Sequence, residues 1–109
     1  MKIKLFWILT LVLLFFRLPA QESLEIFKDS NGKYGFKNKS GEIVIPAKYQ
    51  QANNFREGLA RFRLDNKWSF VDKTGKEVIP INYQSVSDFY DGLAMVILDN
   101  KWGFIDKNR

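Results

Sequence analysis

The sequence contains no histidine and no cysteine, so the imidazole and thiolate groups that run most acid–base and nucleophilic chemistry at neutral pH are missing. Carboxylates, lysines and aromatic rings remain. Asp72 and Asp106 end the segments Lys67-Trp-Ser-Phe-Val-Asp72 and Lys101-Trp-Gly-Phe-Ile-Asp106. An aspartate just before a Lys-Thr-Gly turn, as at Asp72, suits capping of that turn by its own carboxylate better than proton transfer. Glu57-Gly58 and Asp91-Gly92 also read as turns. Asp65-Asn66 and Asp99-Asn100 lack the spaced acidic ligands and glycine of a calcium loop. Trp68 and Trp102 could stack on a sugar ring or a base, but each stands at the same place beside a phenylalanine, which reads as core packing. Lys33, Lys67 and Lys101 form a basic row balanced by neighbouring acids, a solvated face. No catalytic residue, cofactor or metal site is expected.

These residues recur because the chain repeats. Residues 33–66 are followed directly by a second copy, 67–100, and a third begins at Lys101. Comparing position i with i+34 gives 16 identities in 34, among them Phe36/Phe70, Gly41/Gly75, Pro46/Pro80, Tyr49/Tyr83, Phe55/Phe89 and Gly58/Gly92. A period of this size means one supersecondary unit repeated. Each copy is dominated by β-branched, aromatic and large apolar residues, as in Leu93-Ala-Met-Val-Ile-Leu98. Asp65-Asn66 and Asp99-Asn100 suit two-residue type I′ hairpins, and Asn31-Gly32 is expected to hold the equivalent place. Lys39-Ser-Gly41 and Lys73-Thr-Gly75 form the next turn.

The expected fold is all-β: tandem antiparallel meanders of about three strands per 34-residue unit, in an open array and not a closed propeller. Eight strands are expected, grouped three, three and two. Proline should end each third strand, at Pro46 and Pro80, because it has no N–H for a ladder. Period-two reading puts Ala60, Phe62 and Leu64 on one face with Arg61 and Arg63 opposite, and turns Trp68 and Phe70 inward. The small residue beside each aromatic (Gly35, Ser69, Gly103) leaves room for another backbone to approach. In the second copy Met95 and Ile97 replace Arg61 and Arg63, making a second apolar face that is either covered or exposed.

The first twenty residues form a separate segment. Met1-Lys-Ile-Lys4 is a positive start, residues 5–16 are apolar except for Thr10, and Arg17-Leu-Pro-Ala20 offers a small residue before Gln21. That is the layout of a secretory signal peptide, and a run of about 12 residues is short for a membrane span, which needs about 20. An uncleaved membrane anchor is the alternative. The expected organisation is a signal peptide over 1–20 and a repeat domain over 21–109, with units at about 22–55, 56–89 and 90–109, the last incomplete. The net charge of +5 falls to +2 without Lys2, Lys4 and Arg17 (14 basic, 12 acidic), which removes the basis for a nucleic-acid reading. With no cysteine, neither disulfides nor a lipidated cysteine are available, and stability must come from burial.

Lys101-Trp-Gly-Phe-Ile-Asp106, Lys67-Trp-Ser-Phe-Val-Asp72 and Lys33-Tyr-Gly-Phe36 resemble the opening of the WG (KWG) repeat. So do Val-Ile-Pro followed by Tyr, and the Phe-x-acidic-Gly-Leu-Ala segments at residues 55–60 and 89–94, of which residues 55–58 read Phe-Arg-Glu-Gly. Tyr34 and Ser69 depart from the Trp-Gly pair. The resemblance implies a bacterial β-repeat protein, often exported, with no general activity attached. The expected function is an exported, non-enzymatic module that binds a protein or a cell-surface polymer through a sheet face or edge, in the periplasm, at the surface or outside the cell. Its alternatives are a structural repeat without a discrete ligand, and a carbohydrate-binding module using exposed aromatics. The candidate interaction surface is Tyr90, Met95, Ile97 and Trp102. The strand over residues 102–106 is expected to have an unpaired edge, open to self-association or to a partner strand. Neither nucleic-acid binding nor stable membrane insertion after cleavage is expected.

Overall fold

A computed structural model describes residues 23–79 and 83–108; the proposed signal segment and Pro80 lie outside them. Among the described residues nine strands form three antiparallel sheets: β1 (Glu25–Lys28), β2 (Tyr34–Lys37) and β3 (Ile43–Tyr49); β4 (Gln51–Ala52), β5 (Leu59–Leu64) and β6 (Lys67–Asp72); β7 (Ser85–Val86), β8 (Leu93–Leu98) and β9 (Lys101–Asp106). The array is all-β and open, as the repeat requires. The grouping differs from the expected three, three and two. The connectors contribute strands of their own, because Gln51 and Ala52 pair with Arg63 and Phe62, and Ser85 and Val86 pair with Ile97 and Val96. The stretch 43–52 therefore runs along the first sheet and, past a bend at Gln50, along the second.

Pro46 does not end β3. Tyr34 pairs with Tyr49 and Phe36 with Ile45, so two positions on β2 span four on β3. This bulge places Pro46 where no ladder N–H is needed. Gly35 lies under it: a Cβ there would meet Ile45 O at 2.5 Å and Ala47 N at 2.7 Å. In the second unit the described residues of the corresponding segment make isolated bridges, Val71 to Glu77 and Trp68 to Tyr83. Ser69 fits there because its hydroxyl donates to Ile79 O at 2.8 Å.

The turns follow local chemistry. Asp65, Asn66, Asp99 and Asn100 all have positive φ, between 51° and 65°, as a type I′ turn demands. Asn31-Gly32 is not their equivalent. The first hairpin pairs Lys28 with Tyr34 across a five-residue loop, closed by Asp29 Oδ1 accepting from the N–H groups of Asn31 and Lys33. The longer loop shifts the register by one, so Ile26 comes onto the face of Phe36. Asp72 caps its turn in the same way, accepting from the N–H groups of Thr74 and Lys76, and Asp106 accepts from Asn108 N–H. At Asp72, burial raises the carboxyl pKa, but the Thr74 hydroxyl, those amides and Lys76 outweigh it and hold it below its ordinary value.

Two hydrophobic clusters join the three sheets. One packs Phe36, Ile45 and Tyr49 of the first sheet against Ala60, Phe62 and Val71 of the second. The other packs Leu59 and Phe70 of the second against Ala94, Val96 and Ile105 of the third. The register explains this: Ala60 pairs with Val71 on one face of the middle sheet, and Arg61 pairs with Phe70 on the other. Both faces are buried, unlike a sheet with one solvated side. Trp68, expected in the core, is half-buried, with the Arg61 guanidinium 5.3 Å from its ring centroid.

Candidate functional site: the open face and edge of the third sheet

Each unit turns its aromatic strand toward the next unit. Phe36 meets Phe55 edge-on at 4.8 Å and 63°, and Phe70 meets Phe89 at 4.8 Å and 62°. Both acceptors are fully buried, at 0% exposure, whereas Phe104 at the same repeat position is 70% exposed. Trp102 is 67% exposed, so the inward place expected for it in the core is not observed. Its face lies where the next sheet would stack, and among the described residues no sheet covers it.

All four candidate residues share this face. Met95 pairs with Phe104 and Ile97 with Trp102 on the β8–β9 ladder, and Tyr90 bridges to Leu93 at the foot of β8. Tyr90 is 83% exposed and Leu93 is exposed, while Met95 and Ile97 are half-buried. Met95 N–H also donates to Ser87 Oγ at 2.9 Å, which ties β8 to the connector. Sequence reasoning missed Phe104 and Leu93. Phe104 stands at the repeat position of Phe36 and Phe70, and Leu93 at that of Leu59.

The edge beside this face is also open. Among the described residues β9 pairs only with β8. A Cβ at Gly103 would meet nothing within 4 Å, in contrast to Gly35. Beside it an open groove of about 430 Å³ is lined by apolar residues, among them Tyr83, Val96, Trp102 and Ile105, together with Asp99 and Lys101.

Polar contacts between units show how a further unit would be held. The Glu57 carboxylate accepts from the N–H groups of Asp91 and Gly92, the matching turn one repeat on, and Lys107 Nζ reaches Glu57 O at 2.6 Å. The Gly92 amide, more than the Asp91 amide and Lys107, holds the Glu57 carboxyl below its ordinary pKa against a smaller opposing effect of burial. Arg61 pairs with Asp88 at 2.8 Å and donates to Val86 O at 3.1 Å, bridging the second and third units. Tyr49 donates its hydroxyl to Glu77 at 3.4 Å, and burial, then that carboxylate, push its pKa up. These groups clamp neighbouring repeats. Among the described residues no cluster of three or more His, Cys, Asp or Glu could hold a metal ion, and no helix is long and apolar enough to cross a membrane.

Comparison with curated proteins and with solved structures gives no match. The profile of the WG containing repeat matches twice, over residues 34–68 and 68–102. Those spans tile the 34-residue units seen in the sheets and cover well over half of the chain, which therefore belongs to the WG-repeat family.

Proposed function

We propose that the chain is an exported, non-enzymatic interaction module whose third-sheet face binds a protein partner. One observation carries the reading: Phe104 is 70% exposed where Phe36 and Phe70 are 0% exposed. A ring that the repeat buries twice and then presents beside Trp102, Leu93 and Tyr90 makes a contiguous apolar patch of the kind that marks an interaction site. Export is supported by the charged start, short apolar run and Ala20 of the first twenty residues. A glycan is a weaker fit, because sugar recognition needs hydrogen-bonding groups around the stacking ring. Trp102 and Phe104 are instead bordered by Leu93, Met95 and Ile97.

A photo-crosslinking residue at position 104, compared with one at Ile43 on the first sheet, which is 61% exposed, tests the surface in the producing cells. Discrete protein adducts from position 104 alone are expected. Equal labelling from Ile43, or none from 104, overturns the reading. Intact mass of the exported protein should start at Gln21 or within a few residues of it.

A further inference from the structure

We infer that the open edge of β9 is an acceptor for an extended segment of defined chemistry, Ile-Pro-x-x-Tyr-x5-Phe, the segment by which a further WG-type unit would join. The inference rests on the interaction reading above and specifies the partner. Within this chain the same acceptor occurs earlier with its occupant in place. On β2 the occupant is residues 42–58. Ile45 lies buried against Phe36, the backbone at Pro46 and Ala47 crosses Gly35, Tyr49 pairs with Tyr34, and Phe55 closes edge-on over Phe36. On β6 the occupant repeats this with Tyr83 bonded to Trp68 in both directions, at 2.8 and 2.9 Å, and with Phe89 over Phe70.

The third acceptor has every matching feature. Trp102 and Phe104 stand at the positions of Trp68 and Phe70, and Gly103 restores the glycine of the first unit. The groove between Tyr83, Val96 and Gly103 corresponds to the space between Tyr49, Phe62 and Ser69. There Glu77 and Ile79 are seated, the one meeting the Tyr49 hydroxyl and the other the Ser69 hydroxyl. Asp91 occupies the place from which Glu57 holds the next turn. Strand addition then supplies main-chain hydrogen bonds for affinity, while the Ile, Tyr and Phe sites give specificity. A second copy pairing β9 with β9 would satisfy the edge but leave the groove and the Phe104 ring without their counterparts.

Gly103 separates these possibilities. Its surroundings are open, so Gly103→Val should fold normally, while its side chain would stand where Gly35 shows that a partner backbone must pass. Gly103→Ser should still bind, since Ser69 serves in the second unit. The experiment titrates a fluorescent peptide of residues 42–58 into the purified chain and reads polarisation, with melting temperatures as a control. Saturable binding is expected, weakened about tenfold or more by Gly103→Val, retained by Gly103→Ser, and weakened about tenfold by Phe55→Ala in the peptide. Absence of saturable binding, or equal binding by Gly103→Val, overturns the inference. So does a dimer in sedimentation that survives Gly103→Val. If the peptide fails while adducts at position 104 persist, the interaction surface stands and only the strand chemistry falls.

Discussion

Phe70 and Phe104 are the same residue type at the same place in two units, yet one is enclosed and the other is open. Phe70→Ala should cost about 3–5 kcal/mol, because it empties a packed site between two sheets. Phe104→Ala should change stability by less than about 0.5 kcal/mol. Urea midpoints of the two variants check this, and a large loss at Phe104 would mean that its ring is covered in solution. Glu57 offers a second test. Its carboxyl pKa is depressed in the folded chain, so the stabilisation it gives is complete above the ordinary glutamate value and is lost as pH falls through the lower, folded one. The amide protons of Asp91 and Gly92, which its carboxylate accepts, should titrate together at a pH below the ordinary glutamate value. Nuclear magnetic resonance shifts during acidification report it; a midpoint at or above that value would remove Glu57 from the clamp.

At the scale of elements, the hairpins were legible because their turn residues state their own geometry: Asp-Asn accepts positive φ at both positions, and the structure has it there twice. The first hairpin was misread because Asn31-Gly32 looks like a two-residue turn, while Asp29 captures two amides and lengthens the loop. The short strands β4 and β7 had no sequence signal of their own. They exist because Gln50 and Gln84 are each clipped to the neighbouring turn: Asn66 N–H donates to Gln50 Oε1 at 2.7 Å, and Asn100 N–H donates to Gln84 Oε1 at 2.6 Å. These identities were visible in the repeat, but the pairing at a separation of 16 was not. Gly35→Ala should destabilise strongly, because its Cβ would meet a backbone oxygen at 2.5 Å, whereas Gly103→Ala should be nearly silent. Melting temperatures of the two variants decide it; equal losses would contradict the bulge over Gly35.

The described residues form a stack in which the first and second sheets are each covered by the one that follows, so position in the stack, and not residue type, sets the exposure of equivalent residues. A single sequence reading assigns Trp102 and Phe104 inward because their copies suggest it. Only the count of sheets shows that nothing described lies beyond them. The apolar character of that face was legible from Met95 and Ile97 replacing two arginines. Because contacts pass from unit to unit, thermal unfolding should be a single transition, and replacing Gln50 or Gln84 by alanine should lower its midpoint without splitting it. Calorimetry showing two resolved transitions would mean independent units. The stretch 43–52, shared by two sheets, has a consequence for how such genes change length. A cut at the bend at Gln50 leaves the strands of both flanking sheets whole, whereas a cut elsewhere in the stretch divides β3 or β4. Recombination that adds or removes a multiple of 34 codons restores every pairing wherever the crossover falls. Any other length breaks the 34-residue register of strands and connectors, so such arrays grow by whole units.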